Sequence, residues 1–177
     1  MHFDLNSISE KDFYNSLSLP NLKSVVLTNC KFKCYDAFER FFSNLADTEN
    51  SLERLEINRL NSSVSAKGFK EFLDSQSQSL KHLVLNGVHK NILSRKYHRK
   101  TLPPLCRLSS LMTLNLAKNM LDYDKINVLA THLEAHESFQ ELVRLDLSDN
   151  LLENNAILVL YKMLRERQAS LETINLS

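Results

Sequence analysis

Two histidines have the spacing of a metal site. His132 and His136 stand four residues apart in a stretch whose apolar pattern predicts a helix, so both imidazoles would lie on one helix face, as in some zinc sites. The metalloprotease pattern requires a glutamate directly after the first histidine, whereas Leu133 occupies that place. Since no third ligand is evident, we expect two histidines on a helix surface and no bound metal.

The cysteines and carboxylates show no catalytic arrangement. Cys30 and Cys34 are separated by three residues without a second pair, and Cys106 lies beside leucines, which predicts a buried, small apolar side chain. Asp146 and Asp149 have no base paired with them. The chain has only two glycines, which excludes a glycine-rich phosphate loop, and no nucleophile elbow or kinase motif occurs. We therefore expect no enzyme activity within these residues and no cofactor.

A basic stretch is the third candidate for chemistry. From Ser75 to Leu121 the sequence has eight lysines and arginines and no acidic residue, although the whole chain has a formal charge of +1. We call residues 89–108, at its centre, the basic segment. Such a surface can bind an acidic protein, an anionic lipid head group or nucleic acid; the alternative is a solvated loop that keeps the protein soluble. The candidate binding residues of the basic segment are Lys90, Arg95, Lys96, Arg99 and Lys100, with His89, Tyr97 and His98 between them.

These residues belong to an internal repeat. Five segments of nine residues have an aliphatic residue at the first, fourth and sixth places, and a sixth segment starts at Leu171 and stops at the chain end. Successive segments start 30, 28, 31, 31 and 29 residues apart. The complete segments begin at Leu22, Leu52, Leu80, Leu111 and Leu142, and their ninth places are Cys30, Leu60, Val88, Asn119 and Asn150.

The repeat resembles the leucine-rich repeat, whose signature is LxxLxLxxN/C. Its spacing is similar to that of the ribonuclease-inhibitor-like class, in which a full helix follows each strand. Leu60 and Val88 depart from the signature at the ninth place. The resemblance covers nearly the whole chain and implies one domain over residues 1–177. It implies an α/β solenoid bent into a horseshoe arc, with a parallel concave sheet, convex helices and about six repeats, partial at both ends.

Side-chain periodicity predicts the same elements. The fourth and sixth places share one face of a short strand, because side chains alternate, and we expect them to point inward. Between the strands, apolar residues recur at helical spacing. The predicted helices cover Tyr35 to Leu45, the region of Phe69, Phe72 and Leu73, Asp122 to His136 with Ile126, Leu129 and Leu133, and Asn154 to Gln168 with Ala156, Ile157, Leu160 and Leu164.

The basic segment interrupts this pattern. Pro103 and Pro104 stand where the helix of the third repeat should continue, and proline lacks the N–H group and clashes with the preceding turn. We expect a protruding loop or a short, broken helix there. Before Leu22, Phe3 and Leu5 predict a strand, and Phe13 and Leu17 a short helix that ends by Pro20. Neither end shows a polar cap, so we expect further chain or another subunit to cover the terminal repeats.

The outward side of the predicted sheet is the second candidate surface. Its residues are Ser24, Val26, Thr28, Arg54, Glu56, Asn58, His82, Val84, Asn86, Thr113, Asn115, Ala117, Arg144, Asp146, Ser148, Thr173, Asn175 and Ser177. Arginine is enriched at binding hot spots, although any single one of these side chains can equally be a solvated surface residue. The candidate binding residues on this side are Arg54, Glu56, Asn58, His82, Asn86, Thr113, Asn115, Arg144 and Asp146.

Two function classes remain open, and a third depends on residues outside this sequence. The first is a rigid module that binds another protein, such as an adaptor or a pathogen effector acting in the host cytosol. The second is electrostatic binding of nucleic acid or anionic lipid by the basic segment. The third is the substrate-recognition segment of a larger enzyme. An odd cysteine count, no apolar run of eighteen residues and no signal-peptide pattern favour an intracellular, cytoplasmic location.

Overall fold

Strands and helices alternate along the chain in a computed structural model that describes residues 2–3, 21–30, 35–47, 51–60, 67–88, 90, 92–134, 140–166 and 170–177. Seven strands lie in these residues: β1 (His2–Phe3), β2 (Ser24–Thr28), β3 (Arg54–Asn58), β4 (His82–Asn86), β5 (Thr113–Asn115), β6 (Arg144–Asp146) and β7 (Thr173–Asn175). Five helices lie between them: α1 (Tyr35–Asp47), α2 (Lys67–Ser75), α3 (His98–Leu105), α4 (Tyr123–Glu134) and α5 (Asn154–Glu166). The α/β class predicted from the sequence is therefore confirmed.

The strands form one parallel sheet in which strand order follows sequence order. Equivalent places of successive segments pair in register: Val25 opposes Leu55, which opposes Leu83, and the row continues through Leu114 to Leu145. Because the side-chain period is two, this register places every fourth and sixth residue on one face of the sheet. Each place of the repeat thus becomes a row of side chains that runs across the strands.

One face of the sheet is covered by the helices. All ten predicted inward side chains of the five complete segments are at most 2% exposed. Beneath them, the phenylalanines of α1 and α2 pack closely in edge-to-face contacts, with the Phe42 ring centre 5.1 Å from that of Phe69 and 5.2 Å from that of Phe72. A Cβ atom at Gly68 would lie 2.5 Å from the carbonyl oxygen of Glu39, so these two helices approach at a position that only glycine fits. We call the uncovered side of the sheet the open face.

The predicted helix cores are confirmed in α4 and α5, with one exception. Ile126, Leu129, Ala156 and Leu160 are buried, and Leu164 is half-buried. Ile157 is 39% exposed, contrary to its predicted place in the core. It lines a groove with Ile174 and Leu176 at the β7 edge, where the described residues place no further helix. The side chain of Leu133, and the predicted elements at Leu5, Phe13, Leu17 and Pro20, lie outside the described residues.

The turn after each strand has the same backbone at the eighth place of the segment. Asn29, Arg59, Lys118 and Asp149 have φ between 53° and 59°, and Gly87 has φ 66°. This left-handed conformation costs other residues about 1–2 kcal/mol relative to glycine. Asparagine, aspartate and glycine tolerate this conformation, whereas arginine and lysine adopt it rarely.

Two asparagines at the ninth place tie neighbouring repeats together. The Asn119 side chain is fully buried: its Oδ1 accepts from the Val88 N–H at 2.8 Å, and its Nδ2 donates to the carbonyls of Leu85 and Leu116. In the next repeat, Oδ1 of Asn150 accepts from the Asn119 N–H at 2.9 Å. These bonds satisfy buried backbone groups that the short strands leave unpaired.

The basic segment forms a short helix that packs into the helical layer. Helix α3 contains both prolines, and the chain leaves it through i→i−3 bonds, from Cys106 N to the Pro103 carbonyl and from Arg107 N to the Pro104 carbonyl. Leu102, Pro104 and Leu105 of this helix are buried, as are Ile92 and Leu93 before it. The short helix was among the predicted outcomes, but the expectation that the segment protrudes is wrong, because these apolar side chains anchor it to the core.

Candidate functional site

The open face presents its side chains in rows set by the sheet register. The row at the third place contains Arg54, His82, Thr113 and Arg144, so an arginine stands at each end of these four residues. The row at the fifth place contains the acids Glu56 and Asp146, with Val84 and Asn115 between them. A basic row therefore runs beside an acidic row across four strands. All nine predicted open-face candidates lie on strands β3 to β6 of this side.

The acidic row is held in place by hydrogen bonds. One oxygen of Glu56 accepts from the Arg54 guanidinium and the other from the Asn58 amide, both at 2.7 Å. At the other side of the row, the Asp146 carboxylate accepts from the Asn115 amide at 2.9 Å. These carboxylates consequently keep fixed positions before any partner arrives.

Some candidates also have a structural role that sequence reasoning missed. Asn115 Oδ1 accepts from the backbone N–H of Ala117 at 2.9 Å, and Asp146 Oδ1 accepts from that of Ser148 at 3.0 Å. Each side chain thus closes the turn that follows its own strand. The prediction that Ala117 points outward is wrong: it is 4% exposed, because the strand has already ended at Asn115 and the chain turns inward.

Arg144 and His82 differ in charge, although both lie in the row at the third place. Arg144 is exposed, and no carboxylate among the described residues lies within ion-pair distance of it. His82, in the same row, has its pKa held below the ordinary value by burial and then by the positive charges of Arg54 and Lys81. His82 is therefore a neutral hydrogen-bonding group near pH 7.

A polar notch closes the carboxyl-terminal edge of the open face. It has a volume of about 270 Å³ and is lined by Thr28, Asn29, Asn58, Arg59, Asn86 and Lys118. Both cations have left-handed backbone, as does Asn29, and Gly87, which lacks a side chain, separates Arg59 from Lys118 in the row. Sequence reasoning missed Arg59 and Lys118 because their strained backbone, the signal that singles them out, is visible only in the structure.

The basic segment lies on the opposite side of the molecule, in the helical layer. Lys90, Arg95, Lys96, Arg99 and Lys100 are all exposed. Of these five, Arg99 and Lys100 line the same groove, between α2 and α3. Interleaved among them, His98 is buried, with Nε2 lacking a hydrogen-bond partner, and the Lys96 ammonium lies 5.0 Å from the centre of the Tyr97 ring.

That groove, which we call the helix groove, gathers cations from two repeats. Lys67 and Lys70 of α2 and Arg107 after α3 join Arg99 and Lys100 around it. None of the three added residues was a predicted site residue. Their separation in sequence hides the cluster, since only the packing of α2 against α3 brings them together.

Several cations of the basic stretch pair with acids of neighbouring repeats. Lys81 Nζ lies 3.0 Å from Glu53, and Arg107 donates two hydrogen bonds to Asp74. The pKa of Glu53 is lowered, chiefly by the hydrogen bond and charge of Lys81. The positive charge of this stretch is therefore partly neutralised across the repeats, whereas Lys90, Arg95, Arg99 and Lys100 form no ion pair with the described residues.

The described residues contain no group of three histidine, cysteine or acidic side chains that could hold a metal ion. Cys30 and Cys106 are buried, as predicted for Cys106, while Cys34 and His136 lie outside the described residues. None of the described helices combines the length and the apolar character needed to cross a membrane.

No family model matches the chain, and a comparison with curated proteins finds no match.

Proposed function

We propose that the chain is a leucine-rich-repeat solenoid of the ribonuclease-inhibitor-like class, and that its open face is the concave side on which it binds another protein. The repeat of 28–31 residues coincides with one strand and one helix. The ninth-place asparagines, Asn119 and Asn150, bond from one repeat to the next. Both features support a stack of equivalent units.

The observation that carries the binding role is the fixed polar pattern on the open face. Glu56 and Asp146 are held by neighbouring side chains, while Arg144 and the neutral His82 remain available. Side chains that are already ordered lose little entropy on binding, so their contacts translate efficiently into affinity. A partner would place an acidic group against the basic row and donors against the acidic row.

The open face and the notch at its edge together offer enough area for a protein interface. Strands β2 to β7, at a separation of about 4.8 Å, span about 25 Å. A standard interface buries about 800 Å² on each partner. We therefore expect the partner to contact the notch between Arg59 and Lys118 as well as the strands. We propose that this function lies inside the cell, where the buried cysteines Cys30 and Cys106 would stay reduced.

Affinity capture with paired variants tests the proposal. The double variant Asn86→Arg/Arg144→Glu alters the open face, and the control Asn127→Arg/Lys162→Glu makes the same changes of charge on exposed positions of α4 and α5. Proteins captured by the wild type are identified by mass spectrometry, purified and titrated against each variant. A specific partner should lose affinity by about ten-fold or more with the open-face variant and bind the control normally. Equal binding to both variants would contradict the proposal.

Electrostatic binding of nucleic acid or anionic lipid is the second candidate, supported by the exposed cations of the basic segment. Affinity for phosphate groups falls steeply as salt rises. Salt-insensitive binding, unchanged by Arg95→Glu/Arg99→Glu, would remove this candidate.

A further inference from the structure

The helix groove combines a cationic rim with an apolar floor. The rim consists of Lys67, Lys70, Arg99, Lys100 and Arg107, four of them exposed and Arg107 half-buried. The less exposed Tyr97, Pro103 and Pro104 lie between them and form the floor. The groove has a volume of about 520 Å³, large enough for one or two amino-acid side chains.

The groove keeps a positive charge after its internal ion pairs are counted. Asp74 accepts from Lys70 at 2.9 Å and from Arg107, and Glu71 lies 3.9 Å from Lys67. Burial alone would raise the pKa of Asp74, but hydrogen bonds from Lys70 and Arg107 hold it below its ordinary value, so this carboxylate stays charged. Among the described residues, these two carboxylates pair with three of the five cations, Lys67, Lys70 and Arg107.

Arg99 and Lys100 supply the uncompensated charge. No acidic residue of the described chain lies within 4 Å of either side chain. Both stand in the first turn of α3, where the helix dipole disfavours cations, and no acidic residue occupies that turn. An anionic group bound between them would relieve this local repulsion.

We propose that the helix groove binds an acidic peptide segment of a partner protein, with an apolar or aromatic side chain of the peptide on the proline and tyrosine floor. An apolar floor inside a ring of charges matches a ligand that carries both chemistries within a few residues. A membrane surface meets exposed cations but leaves a recessed floor unfilled. A nucleic acid base would need the Tyr97 ring, over which the Lys96 ammonium already lies. The site is separate from the open face and does not depend on its function.

Titration of the isotope-labelled chain with the peptide acetyl-Glu-Glu-Phe-Glu-Glu-amide, followed by NMR at low salt, tests the proposal. Two control peptides replace the phenylalanine with glycine or all glutamates with lysine. We expect saturable shifts at the amides of Lys70, Tyr97 and Lys100, with weaker binding of the glycine peptide and none of the lysine peptide.

Charge variants should change the affinity for the peptide in both directions. Arg99→Glu/Lys100→Glu should weaken the peptide by at least about ten-fold, whereas Asp74→Asn, which removes a competing carboxylate, should strengthen it by about two-fold. The matched control Lys162→Glu/Arg165→Glu reverses two exposed cations on α5 and should leave affinity unchanged.

Three outcomes would overturn the assignment. The first is shifts confined to the open face or spread evenly over the chain. The second is equal loss of affinity in the Arg99→Glu/Lys100→Glu variant and in its α5 control. The third is binding of phosphatidylserine vesicles or a thymidine oligonucleotide that depends on Arg99 and Lys100, without binding of the peptide. Because the probe and the variants do not involve the open face, none of these results bears on the protein-binding role proposed for that face.

Discussion

Replacing Asn119 with leucine should destabilise the fold far more than a change of similar size at the surface. The Asn119 side chain is fully buried and makes three hydrogen bonds, accepting from Val88 N and donating to the carbonyls of Leu85 and Leu116. Leucine leaves the buried Val88 N–H and the Leu85 carbonyl without these partners, whereas the Leu116 carbonyl still accepts from the Asn150 amide. Each orphaned group costs about 1–3 kcal/mol, and because a carbonyl has a second lone pair we expect a total of about 2–4 kcal/mol.

Urea denaturation followed by circular dichroism measures this loss. With a slope of about 2–3 kcal/mol per molar urea, the midpoint should fall by about 1–2 M. Asn127→Leu is the matched control, because Asn127 is exposed on α4 and should change stability by no more than about 0.5 kcal/mol. Hydrogen exchange should show faster exchange at the Val88 amide. If Asn119→Leu and Asn127→Leu have the same midpoint, the asparagine bonds do not hold neighbouring repeats together.

Three further predictions concern the turns, a second buried polar group and pH. Arg59→Gly should raise the free energy of unfolding by up to about 1 kcal/mol, because it relieves a φ of 59°, and a lower thermal midpoint would contradict this. Gln76→Leu should lower the free energy of unfolding by about 1–3 kcal/mol, because it removes the Oε1 atom that accepts from the buried Leu52 N–H at 2.8 Å. A comparison of the urea midpoints of wild type and variant tests this prediction, and equal midpoints would contradict it. Because the pKa of His82 lies below its ordinary 6.5, the unfolded chain gains the proton first. Stability should therefore fall as pH drops below about 6.5, and His82→Gln should remove that part of the pH dependence seen in urea titrations.

The strands and most of the core could be predicted from local pattern. Alternation shows which face of a short strand is buried, so the burial of Val25, Leu55 and Leu83 could be predicted without knowledge of the rest of the chain. Leu60 and Val88, which depart from the repeat signature, are buried as well and serve the core in place of the asparagine bonds. The exposure of Ile157 was not predicted, because helical periodicity shows which residues share a face of the helix but not where the layer that covers this face ends.

The sites were harder to predict because they depend on contacts between repeats. The open-face residues could be named from alternation, but the turn-closing role of Asn115 and Asp146 depends on where each strand ends. The helix groove combines Lys70 and Arg107, which pair through Asp74 across two repeats. A count of basic residues along the sequence found Arg99 and Lys100 but not their neighbours in space.

Site-specific photo-cross-linking in the native cells tests most directly whether the open face binds a protein. Val84 lies at the centre of this face on β4, and Lys162 is exposed on α5, on the helical side. Each position is replaced in turn by a photoreactive phenylalanine analogue, and the products are identified by mass spectrometry. The proposal predicts one predominant protein adduct from position 84 that is absent from position 162. No adduct at position 84, or the same adducts at both positions, would contradict it.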